Sequence, residues 1–154
     1  MVRRPSGQRI LLDGAHNTGG AQTLAAALRE LFAGSAPALV LGILRDKDWA
    51  AMCRILAPMA RRIVLVPVHS ERTAEPHGLG DVCREANPAV EVLECESLES
   101  ALAATACDPF VTIAGSLYLI GEAMELLRLS AAPGAGERGL NEWGGVSSLR
   151  SSAT

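Results

Sequence analysis

Short apolar runs punctuate the chain: "RILLDG" at 9–14, "ALVLGIL" at 38–44, "RIVLVPV" at 62–68, "EVLEC" at 91–95 and "FVTIAG" at 110–115. They are rich in β-branched residues, and most are nearly continuous in apolar character, as strands covered on both faces are. Between them the apolar spacing changes to threes and fours. Ala21, Leu24, Leu28 and Leu31 predict an amphipathic helix over 18–33, with Arg29 and Glu30 facing away and Gly34 as its stop. Trp49, Met52, Cys53 and Leu56 predict a second helix, with Asp48 as N-cap and Pro58 limiting its length. Leu79, Val82, Cys83 and Ala86 mark a third, and Ser97 caps a fourth that runs to about Ala106. Leu117, Ile120, Met124 and Leu127 stripe a fifth. Strands alternating with helices predict an α/β domain with a mostly parallel sheet over residues 1–130. The segment 131–154, rich in Gly, Ser and Ala and without a sustained period, is expected to be a flexible tail.

Composition narrows the class without changing the fold. The 154 residues carry 49% hydrophobic residues and a formal net charge of −3, so no broad nucleic-acid footprint is indicated. No apolar run reaches the ~20 residues of a membrane span, and "MVRRPSGQR" leads into a strand rather than a signal-peptide core. The expectation is a soluble, cytoplasmic domain with no membrane and no nucleic-acid partner. Cys53, Cys83, Cys95 and Cys107 lie 30, 12 and 12 positions apart, without C-x-x-C or zinc-finger spacing. Reduced, buried thiols are expected and no metal site.

Parallel strands bring their carboxyl ends to one edge, where open α/β sheets hold ligands. The loops there are "DGAHN", "LRDKD", "VHSER" and "AGS", and they carry Asp13, His16, Asn17, Lys47, Arg72 and Ser116. Each residue has a plainer use beside the functional one. Asp13 ends a strand or caps a turn; alternatively it contacts a ligand. His16 sits in a turn, yet its imidazole suits a ribose hydroxyl or a phosphate oxygen. Asn17 is an N-cap at a helix start whose free amides also favour anions. "RDKD" reads as a solvated loop, or as the place where the Lys47 ammonium meets a substrate carboxylate. Arg72 is a surface arginine or a bidentate carboxylate fork. Ser116 caps the fifth helix or donates to an anion. His69 and His77 are read as loop histidines. The sequence contains neither G-x-x-x-x-G-K-[ST] nor G-x-S-x-G, and Gly14, Gly19 and Gly20 do not fit G-x-G-x-x-G, so phosphate-loop, dinucleotide and serine-hydrolase chemistry have no motif at these strand-end loops.

Four stretches, "ILLDGAHNTGG", "GILRDKDWAAM", "VPVHSERT" and "IAGSLYLIGEAMELL", stand in this order over roughly residues 8–129. Together they closely resemble the C-terminal domain of folylpolyglutamate synthase and dihydrofolate synthase, within the Mur ligase superfamily. One departure is Thr18, where a proline usually follows "HN"; proline at a first helical turn is helpful but dispensable. The resemblance implies a three-layer, Rossmann-like sandwich of five or six strands. It implies an ATP-dependent ligase that joins L-glutamate to a folate or dihydropteroate through an acyl phosphate. By that likeness Asp13, His16 and Asn17 would face ATP, and Lys47, Arg72 and Ser116 would serve glutamate. The P-loop, the magnesium ligands and most folate contacts would lie on an N-terminal P-loop ligase domain that this sequence does not carry. The chain alone is therefore expected to hold part of an active site and to be inactive. Competing readings are a stand-alone nucleotide or amino-acid binding regulatory module, and an interaction domain that has kept the ligase core without its chemistry.

Overall fold

The structure, a computed structural model, describes residues 1–129; the expected tail at 131–154 lies outside the described residues. Its elements in chain order are β1 (Val2–Arg3), β2 (Arg9–Leu12), α1 (Thr18–Leu31), β3 (Ala38–Leu41), α2 (Trp49–Leu56), β4 (Arg62–Leu65), α3 (Pro76–Ala86), β5 (Glu91–Glu94), α4 (Leu98–Ala104), β6 (Phe110–Ala114) and α5 (Leu117–Leu126). A 3-10 turn, Ala57–Met59, follows α2 and contains Pro58. The sheet order is β1-β2-β6-β3-β4-β5. Strands β2 to β6 run parallel, while β1 joins β2 antiparallel. This edge strand is unannounced by the apolar pattern because two residues display no period; a turn at Gly7, φ +87°, folds it back.

Two apolar layers sandwich the sheet. On one face Leu24, Leu28, Met52, Leu56 and Leu79 of α1, α2 and α3 pack onto Leu39, Leu41 and Ile63. On the other, Leu98, Leu102, Leu119 and Ala123 of α4 and α5 pack onto Ile10, Val40, Val64 and Val111. Strands β3 and β6 are buried at every position, as their continuous apolar runs require.

Side-chain caps start the helices where the sequence places them. Asn17 accepts from Gly20 N at 2.8 Å, Asp48 from Ala51 N at 3.2 Å, and Ser97 forms a reciprocal capping box with Ser100. The fifth helix forms as expected but presents a different face. Leu119 and Ala123 are buried and Ile120 and Leu127 pack beside them, whereas Leu117 and Met124 are exposed. The thiols divide as well. Cys53 and Cys83 are buried and all four cysteines are free, but Cys95 is only half-buried. Cys107 is exposed, because it lies past the end of α4 in the connection to β6.

At the amino edge of the sheet the buried Asp108 carboxylate accepts from Arg61 and, at 3.1 Å, from Arg62. Arg62 also pairs with Glu91 at 2.7 Å. The buried Gln8 amide donates to Thr105 O and Asp108 O at 2.6 and 2.8 Å. These contacts tie the starts of β2, β4, β5 and β6 together.

Candidate functional site at the carboxyl edge

Glycines let the strand ends approach at the opposite edge. Gly115 adopts φ +111°, and a Cβ there would lie 2.4 Å from Gly42 O. Its amide donates to Ala15 O at 2.9 Å, which joins the β2–α1 and β6–α5 loops. At Gly14 a Cβ would come within 3.0 Å of the Leu117 side chain. Only a residue without Cβ lets Gly115 lie this close to the end of β3.

In the β2–α1 loop, Asp13 N donates to Ile113 O at 3.0 Å, and Asp13 Oδ1 accepts from Ala15 N at 2.9 Å. His16 Nδ1 lies 2.8 Å from Gly14 O. A carbonyl only accepts, so Nδ1 carries the proton and Nε2 is the acceptor of the neutral ring. Asn17 follows as the N-cap of α1.

The β3–α2 and β4–α3 loops are zipped by their backbones. Arg45 N donates to Arg72 O at 2.7 Å, Ala74 N donates to Ile43 O at 2.8 Å, and Leu44 and Thr73 form an antiparallel bridge. Val68 N donates to Thr73 Oγ1 at 2.8 Å, which fixes the inner end of the second loop. Ser116 is buried at the N-cap of α5, where its Oγ accepts from Tyr118 N at 3.2 Å and its own hydrogen is left for an acceptor.

These four loops enclose a cavity of about 150 Å3 lined by His16, Lys47, Arg72, Ser116, Leu117 and Tyr118, with Leu44 and Gly115 completing its wall. The structure thus brings together His16, Lys47, Arg72 and Ser116. Asp13 and Asn17 do not line the cavity; they shape the turn that presents His16. His69 lies in a loop beside a neighbouring groove with Glu122, 3.8 Å away; His77, expected in a loop, instead stands in the first turn of α3, where it faces Glu94 at 3.3 Å, because Pro76 starts the helix one residue before it. Leu117 and Tyr118 were not among the predicted site residues. Their exposure, 59% and 55%, puts an apolar and aromatic wall on the cavity, and the signal available in the sequence was their place directly after a strand-end Gly-Ser.

Chemically, the cavity joins a lysine, an arginine, a histidine and the amino end of the ten-residue helix α5, a setting suited to an anion with carboxylate or phosphate oxygens. Among the described residues there is no group of three or more His, Cys, Asp or Glu able to hold a metal ion. No described helix is long and apolar enough to cross a membrane.

Known proteins resemble this chain in sequence and fold. The chain is 37% identical over 122 residues to folylpolyglutamate synthase of Lacticaseibacillus casei, an alignment covering 77% of this chain and 27% of that protein. The crystal structure of folylpolyglutamate synthase from Thermotoga maritima superposes with a TM-score of 0.71 at 30% identity, covering 81% of this chain and 29% of the other. Mycobacterium tuberculosis folylpolyglutamate synthase, solved with ADP and AMPPCP, superposes with a TM-score of 0.64 at 28% identity, over 76% and 29% of the two chains. The chain therefore spans under a third of the length of these relatives. The profile of the family described as Mur ligase, glutamate ligase domain, matches residues 1–117. With that match over most of the described fold, the chain belongs to the Mur ligase glutamate ligase domain family.

Proposed function

We propose that this chain serves as the C-terminal domain of an ATP-dependent folylpolyglutamate synthase or dihydrofolate synthase, supplying ATP and glutamate contacts. In the ligation, the γ-phosphoryl group of ATP passes to a carboxylate of the pteroate or folate to give an acyl phosphate. The glutamate amine then attacks the acyl carbon, the C–N bond forms, phosphate leaves and the nitrogen gives up its proton. The observation that carries this reading is the meeting of Lys47, Arg72, His16 and Ser116 around one cavity at the carboxyl edge.

Lys47, Arg72 and Ser116 bind the glutamate carboxylates, two through charge and one through its hydroxyl. Asp13, His16 and Asn17 form the nucleotide side: Asp13 Oδ2, His16 Nε2 and the Asn17 amide nitrogen are the atoms their local hydrogen bonds leave over. His16 stands where the two sets meet, since it also lines the cavity. Magnesium, the P-loop and the folate pocket belong in this reading to an N-terminal P-loop ligase domain.

The test combines the chain with the P-loop portion of a related synthase and follows glutamate incorporation. Ligation is expected from the combination and not from this chain alone. Lys47→Ala should raise the glutamate KM roughly tenfold to a hundredfold and leave the ATP KM nearly unchanged, the loss of a charge-assisted hydrogen bond being about 1.5 to 3 kcal/mol. Asp13→Ala should do the reverse. Equal effects of Lys47→Ala on both substrates would overturn the division by loop, and turnover by the chain alone would overturn the shared active site.

A further inference from the structure

The three residues Asp46, Lys47 and Asp48 take three different places. Asp48 caps α2, and Lys47 lines the cavity. Asp46 Oδ2 instead accepts from Arg72 Nη1 at 3.2 Å, across 26 positions of sequence and between two separate loops. We propose that Asp46 is a positioning residue that presets the Arg72 guanidinium for the carboxylate of the incoming amino acid. The proposal rests on the reading of the cavity as the glutamate site.

Both side chains are about half exposed, 48% for Arg72 and 43% for Asp46, so the pair contributes little to folding. Its effect lies in orientation. The backbone zipper, Arg45 N to Arg72 O and the Leu44–Thr73 bridge, already fixes where the two side chains start. What stays free is the set of arginine torsions, and a carboxylate on one nitrogen selects among them. Arg72 gives Nη1 to Asp46, and among the described residues Nε and Nη2 have no protein acceptor. A guanidinium held on one side with donors left over is prepared for a second carboxylate, since its fork is planar and rigid. A bare surface arginine would have to order its long side chain on binding.

The experiment uses the full 154-residue chain, with NMR of the arginine Nε–H groups and the Arg72 signal identified by its loss in Arg72→Lys. In Asp46→Ala the melting temperature should stay unchanged while the Arg72 Nε–H order parameter falls into the flexible range, below about 0.6. The L-glutamate concentration that half-shifts the Arg72 signal should rise about tenfold, a difference of about 1.4 kcal/mol. Asp46→Glu should restore most of both. An Arg72 signal as ordered in Asp46→Ala as in the parent chain overturns the proposal, as does a parent chain that responds to L-glutamate at the same concentration as Asp46→Ala. A freed guanidinium in Asp46→Ala, together with no response to L-glutamate in the parent chain, upholds the positioning and removes the carboxylate reading of the cavity.

Discussion

Gly115 carries more of the site than its size suggests. Its φ of +111° lies where residues with a Cβ are strained, and the added atom would meet Gly42 O at 2.4 Å. Gly115→Ala should therefore cost about 2–4 kcal/mol, from strain and overpacking together, readable as a lower urea midpoint. The cysteines offer a second check at this scale. The hydrogen bond with the neighbouring Cys83 thiol, and then burial, push the Cys53 thiol well above its ordinary range, while Cys107 is exposed. A thiol reagent at pH 8 should modify Cys107 first and reach Cys53 and Cys83 only on unfolding, as mass spectrometry of the labelled peptides would report. Of the six predicted site residues, four line the cavity, because strand-end loops in a parallel sheet must share an edge. Asp46 was not legible as a contact. Its partner lies 26 residues away, and no local pattern encodes which loops will zip.

The helix α5 shows at the scale of elements why existence is easier to read than orientation. Apolar residues stand at Leu117, Leu119, Ile120, Ala123, Met124, Leu126 and Leu127, which supports two overlapping stripes. Gly115 and the Ser116 cap choose between them, turning Leu119 and Ala123 inward and leaving Leu117 beside the cavity. Leu119→Ala is accordingly expected to cost about 2–5 kcal/mol, while Leu117→Ala stays within about 1 kcal/mol by the same urea titration. The strands and the other helices are legible because β-branched runs and caps such as Asp48 and Ser97 leave one reading. Strand β1 is not, since only its pairing with β2 makes it a strand.

Over the whole molecule the two edges of the sheet divide the work. The amino edge is closed by Asp108 with Arg61 and Arg62, and by the Gln8 amide, all far along the strands from the cavity. Asp108→Ala should remove about 1.5–3 kcal/mol of stability, the range for hydrogen bonds to charged groups, since it leaves partly exposed arginines that water can serve. It should leave the L-glutamate response of Arg72 unchanged in NMR. A change in that response would mean that the edges are coupled through the strands.

The strand order has a consequence for how such a chain assembles. β6, the last of the described strands in chain order, sits between β2 and β3 and pairs with both. β3, β4 and β5 can pair as soon as they exist, but β2 has no parallel neighbour until Phe110–Ala114 is available. Until then the facing edges of β2 and β3 leave their backbone N–H and C=O groups unpaired and able to pair with other chains. The insertion of β6 closes contacts about 100 residues apart, as between Arg9 and Phe110, and such long-range pairing is slow. During synthesis this domain is thus most prone to aggregate in the interval before β6 emerges, and the same strand then delivers Gly115 and Ser116 to the edge where the loops meet.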